Sequence, residues 1–181
     1  MAAHYYPAWK RGAARLRLYK ELSAAASVDR RLEMLFEIID DKFMNSPDRQ
    51  KATLEIPDAC TVGGKTDWKR VAENGLRAFA TGDWSGQWRN SYHGGNATDL
   101  RLDALLKIVE RMEKAEEKQV AADFIVKGAT ILGYTKDATK ESLDKGGPGV
   151  WAWSIKNGES PFDKRVKKLD DAMTRLGVSR K

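Results

Sequence analysis

Apolar residues at Val28, Leu32, Leu35, Phe36, Ile39 and Phe43 recur at intervals of three and four, and an amphipathic helix is the element that puts such a set on one face. A stripe this apolar has to be covered, which commits the chain to packing helices around a core. Ser27 stands before the stripe as its N-cap, and Asn45-Ser-Pro47 ends it. The stretch from Pro7 to about Ala25 also reads as a helix, with Trp9, Leu16, Tyr19 and Leu22 near one face and Gly12 weakening its first turn. After a Gly63-Gly64 break, Thr66 or Asp67 caps a third helix carrying Trp68, Val71, Ala72, Leu76 and Phe79, and Gly82 ends it. Thr98 caps a long stretch with Leu102, Leu105, Leu106, Val109 and Met112. Glu116, Glu117 and Lys118 interrupt that seam before Val120, Phe124 and Ile125 resume it, as one bent helix or two joined ones, and Gly133 stops it.

One segment breaks this period. From Ala52 to Ile56 the apolar Leu54 and Ile56 alternate with polar neighbours and Pro57-Asp58 follows, which predicts a short strand. Towards the end, Lys136 to Leu143 reads as a short helix, Lys145-Gly-Gly-Pro-Gly149 as a turn, and Phe162 to Leu176 as an amphipathic helix using Val166, Leu169, Met173 and Leu176. The fold expected is all-α: a four-helix bundle with a short extended element and a C-terminal helix. The 181 residues fit one domain, with the bundle over 1–150 and a basic tail helix over 151–181 that is not an independent domain.

The net charge of +6 favours polyanionic partners. Basic residues gather at Lys10, Arg11, Arg15, Arg17 and Lys20, and again at Lys164, Arg165, Lys167, Lys168, Arg175, Arg180 and Lys181. No apolar run approaches the roughly 20 residues of a membrane span. The N-terminus lacks a secretory pattern and the single Cys60 leaves no intramolecular disulfide, so a reducing, intracellular setting is expected.

Residues 81–96 are unlike the rest: Trp84, Trp88, Tyr92, His93 and Arg89 are spaced by four glycines and small polar residues. Connections between helices usually need two to eight residues, so this one is longer than a tie requires. Aromatic faces beside a guanidinium suit stacked bases and phosphates. The alternative is that Trp84 and Trp88 fold back as a satellite core on the flanking helices.

Catalytic signatures are missing. His4 and His93 lie far apart, and one cysteine cannot build a zinc site, so no metal or other cofactor is expected. Gly63-Gly-Lys-Thr66 lacks the earlier glycine of a phosphate loop and reads as a turn and cap. Cys60 as a nucleophile would need His93 as its base. The carboxylate pairs Asp40-Asp41, Glu116-Glu117 and Asp170-Asp171 read as solvated helix faces. The expectation is a binding protein, not an enzyme.

The order of landmarks resembles the coat proteins of rod-shaped plant RNA viruses of the tobacco mosaic type, from about Ala8 to Trp151. These landmarks are Ala8-Trp9, a second helix ending at Phe43, Ser46-Pro47 leading to Thr53-Leu-Glu-Ile-Pro-Asp58, a third helix closing with Ala78-Phe79, a loop, a long returning helix, and Gly149-Val-Trp151. The resemblance implies a four-helix bundle that self-assembles into a helical array around single-stranded RNA. Its setting would be a virion or the cytoplasm of a host cell, with no small-molecule substrate and no membrane. It implies RNA contacts at Arg30 or Arg31, at Arg89, and at Arg101 or Arg111, with Trp84 and Trp88 in the same loop. Asp83 resembles the family's acidic partner of an arginine on the fourth helix, but the facing position here holds Lys118 or another residue. Lys140-Glu141 stands where many members have Phe-Glu, and the tail beyond Trp153 is longer and more basic.

Two other readings compete. Leu132-Gly-Tyr-Thr135, Trp153, Asn157-Gly-Glu-Ser-Pro161 and Leu169 to Gly177 resemble a phage-repressor helix-turn-helix, which implies a DNA-binding regulator. Against that pattern, Lys140 stands where a buried alanine belongs, and Val-Trp-Ala-Trp opens the would-be recognition helix. The third reading is a helical adaptor that binds another protein through exposed Trp residues.

Overall fold

The computed structural model describes residues 8–41, 44, 46–81, 97–138 and 161–181, and they are mostly helical. The elements are α1 (Ala8–Leu22, extended by a 3-10 turn, Ser23–Ala25), α2 (Val28–Ile39), α3 (Ser46–Leu54), α4 (Ile56–Ala59), β1 (Thr61–Val62), β2 (Lys65–Thr66), α5 (Trp68–Ala80), α6 (Ala97–Lys114), α7 (Lys118–Ile131) and α8 (Pro161–Arg175). Helix α3 packs on α1, α2 and α6, while α7 packs on both α5 and α6. Helix α8 lies against α6 and α7, with Leu169, Ala172 and Met173 buried in the same core as Leu105, Ile108 and Ile125.

The expected caps at Ser27 and Asp67 form. The Ser27 hydroxyl accepts from Arg30 N at 3.3 Å, and the Asp67 carboxylate accepts from Arg70 N at 3.0 Å. Each satisfies an amide that the first helical turn leaves without a partner. The stripe of α2 is buried at Leu32, Leu35, Phe36 and Ile39, although the helix ends at Ile39; Phe43 and Asn45 lie outside the described residues. The break at Glu116 yields two joined helices.

The helix ends share one chemistry. Tyr134 N donates to Ala129 O at 2.8 Å and Gly133 N to Thr130 O at 3.0 Å, with Gly133 at φ +83°. Val178 N to Met173 O repeats the pattern around Gly177, and Glu117 N to Met112 O repeats it around Glu116, at 3.0 Å in each case. These are Schellman closures, which need a left-handed residue. Glu116 fills that position without being glycine, at φ +62°.

Three expectations need correction. The strand predicted over Ala52–Ile56 is helical: its first part belongs to α3, and Ile56 opens α4 with Pro57 in the first turn, where its missing N–H costs nothing. The true period there is the buried set Arg49, Ala52, Thr53 and Ile56, partly polar and so invisible to an apolar pattern. The extended element lies later, as a hairpin pairing Thr61 with Thr66 and Val62 with Lys65. Its turn is Gly63-Gly64 at φ +56° and +77°, two consecutive positive values that a two-residue hairpin of this twist demands. Thr98 lies inside α6, not before it. Leu22 is 52% exposed, because α1 gives its inner face to Leu16 and Tyr19.

Glycines set the closest helix contacts. A Cβ at Gly75 on α5 would stand 2.9 Å from the Phe124 ring of α7, and one at Gly128 on α7 would stand 2.6 Å from Leu105 of α6. Each large side chain occupies the notch left by the facing glycine.

Candidate nucleic-acid interface

The arginines expected at RNA are on described helices, apart from Arg89. Arg30 points along its own helix, 3.0 Å from Glu33 and 3.8 Å from Glu37. Its neighbour Arg31 turns inward and donates to Asp58 O at 3.4 Å and Thr61 O at 3.0 Å. Arg111, from α6, meets the same turn: it holds the Asp58 carboxylate at 2.6 and 3.3 Å and donates to Leu54 O at 3.4 Å. Arg31 and Arg111 thus converge on α4. They donate to carbonyls of Leu54 at the end of α3, of Asp58 in α4 and of Thr61 in β1, and place cations where those helix dipoles are negative. Lys20 adds a contact to Glu55 at 3.4 Å. Asp58 is the residue that sequence reasoning missed; read as the end of a strand, it gave no sign of being the acceptor between two helices.

Arg101 lies elsewhere. Its Nη1 donates to Phe79 O at 3.3 Å, joining the start of α6 to the last turn of α5. Phe79 and Arg101 flank residues 81–96, so the two helix ends that carry the aromatic segment are tied together. Beside them, Arg77 stacks over the Phe36 ring, 3.7 Å from its centroid, and pairs with Asp40 at 3.2 Å. Trp84, Trp88 and Arg89 lie outside the described residues, as do Asp83, His4 and His93. Of the helix-turn-helix landmarks, Trp153 and residues 157–160 lie outside them as well; of those inside, Tyr134 is 1% exposed and, with Leu169 and Met173, belongs to the core.

The base that a nucleophilic Cys60 would need, His93, lies outside the described residues. Cys60 is buried and its pKa is pushed up to about 11, chiefly by burial, so at neutral pH it is a thiol and a poor nucleophile. It lines a half-open cleft of about 330 Å³ beside Val28, Thr66 and Arg70, and Arg70 is held there by Asp29. Among the described residues, no group of three His, Cys, Asp or Glu side chains could hold a metal ion, and no helix is long and apolar enough to cross a membrane.

Basic residues on α6 are paired at helical spacing, Lys107 with Asp103 at 2.8 Å and Lys114 with Glu110 at 2.9 Å. Those on α8 divide. Arg175 reaches Glu113 of α6 at 3.1 Å, and Arg180, just beyond the helix, holds Asp170 at 2.8 Å. Lys164, Lys167 and Lys168 are exposed and form no ion pair among the described residues.

Comparison with protein-family models, with curated proteins and with solved structures returns no match.

Proposed function

We propose that this chain is a non-enzymatic nucleic-acid-binding structural protein, a coat subunit that self-assembles into a helical array around single-stranded RNA. The observation that carries this reading is the bond from Arg101 to Phe79 O, which brings both ends of the Trp84, Trp88 and Arg89 segment to one end of a helical frame. A stretch rich in aromatic residues and glycine, anchored at two adjoining helix ends, suits stacking on unpaired bases with a guanidinium on the phosphate. In this reading the four-helix bundle consists of α1, α2, α5 and the α6–α7 pair, and the α5–α6 connection faces the RNA. Arg101 flanks that contact, whereas Arg30 stands at the far end of α2, next to the Asp29–Arg70 pair, and Arg31 and Arg111 act first on α4. Each subunit contributes few phosphate contacts, so affinity arises from the polymer and from counterion release.

Binding to single-stranded RNA tests the reading. Arg89→Ala is expected to weaken binding while leaving the helical circular dichroism unchanged, and unchanged binding removes the segment from the mechanism. Electron microscopy of the purified protein with RNA is expected to give rods or stacked discs. A monodisperse monomer or dimer across pH and salt counts against a coat.

A further inference from the structure

The last part of the chain, residues 161–181, holds seven basic and three acidic residues, giving most of the net charge of +6 to one short segment. Helix α8 is fixed within it. Leu169, Ala172 and Met173 face the core, Arg175 is turned to Glu113, and Arg180 links Asp170 to Thr135 O at 3.0 Å. The opposite face presents Lys164, Lys167 and Lys168, with Asp163 and Asp171 at its two ends. Lys164 and Lys168 are four apart, roughly 6 Å along the axis at 1.5 Å per residue, and such like-charged neighbours repel by a few tenths of a kcal/mol. On α6 the same spacing joins lysine to acid; on α8 it sets Lys164 beside Lys168, while Lys167 stands four residues from Asp163 and from Asp171.

We propose that this outer face of α8 is a second nucleic-acid contact, in which Lys164, Lys167 and Lys168 bind successive phosphates of a strand. It rests on the reading that the chain binds nucleic acid, but it uses residues other than 81–96. Three points select this partner. An interfacial membrane helix needs an apolar face to insert, and the apolar face of α8 is already in the core. Protein interfaces centre on aromatic or other apolar anchors and are poor in lysine, whereas the described exposed positions of α8 are Asp163, Lys164, Lys167, Lys168, Asp171, Thr174 and Arg175. Lysine ammonium groups are point charges that neutralise phosphate without reading base edges, so the contact is indifferent to sequence. An anion between Lys164 and Lys168 also relieves their repulsion.

The test compares the parent chain of 181 residues with the triple variant Lys164→Gln/Lys167→Gln/Lys168→Gln, using fluorescence anisotropy on a labelled unstructured RNA over a range of salt. At roughly 0.7 counterions per single-strand phosphate, the slope of log affinity against log salt is expected to fall by about 2. Affinity near 0.1 M salt is expected to drop roughly a hundredfold with the thermal midpoint unchanged or raised, since repulsion is removed. Lys107→Gln/Lys114→Gln, which removes lysines already paired, is expected to leave the slope near that of the parent chain. A parent slope in the triple variant overturns the proposal, as does an equal fall in the paired-lysine control. Binding to vesicles of phosphatidylcholine and phosphatidylserine at three to one, without binding to RNA, overturns it in favour of a lipid surface. Loss of binding in Arg89→Ala with none in the triple variant overturns this inference alone, whereas a parent chain that binds no RNA overturns both.

Discussion

The carboxylate of Asp48 lies directly over the backbone of Gly12, so α1 and α3 approach across a position that has no side chain. A Cβ at Gly12 would fall 2.6 Å from Asp48 Cγ and 2.7 Å from Met44 Sδ, and Asp48 is only 4% exposed. Read from the sequence, Gly12 weakens a helix; in the fold it admits a buried acid. Gly12→Ala should therefore destabilise the protein by about 1 to 3 kcal/mol despite the better helix propensity of alanine. Urea denaturation checks this. In an Asp48→Ala background the same change should become neutral or stabilising, and additive effects would show that the two positions do not meet.

The left-handed Glu116 is a site of local strain, because a side chain at φ +62° crowds its own carbonyl. Glu116→Gly should raise stability by about 0.5 to 1 kcal/mol, the relief of strain exceeding the added freedom of the unfolded chain. A thermal midpoint that fails to rise would mean the closure between α6 and α7 has another anchor.

Burial of two weak acids sets the alkaline limit. The Cys60 thiol is pushed from 9.0 to about 11 by burial, and the Tyr19 hydroxyl from 10.0 to about 12 by burial and then by Glu55. Between pH 9 and 11 the unfolded chain has lost a thiol proton that the native chain keeps, so stability falls as pH rises. For Cys60 the loss is on the order of 2 to 3 kcal/mol, and Tyr19 extends the decline above pH 10. Unfolding free energies at pH 8 and pH 10.5 measure it, and Cys60→Ala should flatten the first part of the slope.

Arg111 and Asp58 are both partly solvent-exposed, so their ion pair is a modest clamp. A double-mutant cycle between Arg111→Ala and Asp58→Ala should give a coupling of about 0.5 to 1 kcal/mol, falling with added salt. If Arg111 acts on α4 and not on RNA, Asp58→Ala should change RNA affinity as much as Arg111→Ala does. A loss confined to Arg111→Ala would place that guanidinium on the nucleic acid.

The helices were legible where burial follows apolar character. The stripe of α2, the caps Ser27 and Asp67, and the stop at Gly133 were each readable because one local force decides them. The strand predicted over Ala52–Ile56 failed because the buried row of α3 includes Arg49 and Thr53, with the Thr53 hydroxyl donating to Arg49 O at 2.8 Å. Hydrophobic periodicity does not register such a row. The candidate site was less legible still. Arg30 and Arg31 are adjacent and chemically identical, yet one is paired on the surface and the other reaches into α4. That difference comes from helical phase and from elements about thirty residues away. The lysines of α8 were visible as a cluster, but only the pairing elsewhere distinguishes them as charges without an ion pair among the described residues.

Helices α5 and α6, which carry residues 81–96 between them, touch each other only sparsely and are each seated on α7, through Phe124 at Gly75 and Leu105 at Gly128. The gap between their ends is therefore set from behind, by the bulk of side chains that never reach it. Trimming Phe124 or Leu105 would shift the C-terminal end of α5 against the N-terminal end of α6, so the spacing of the two anchor points is governed by the depth of two notches on the far side of the fold.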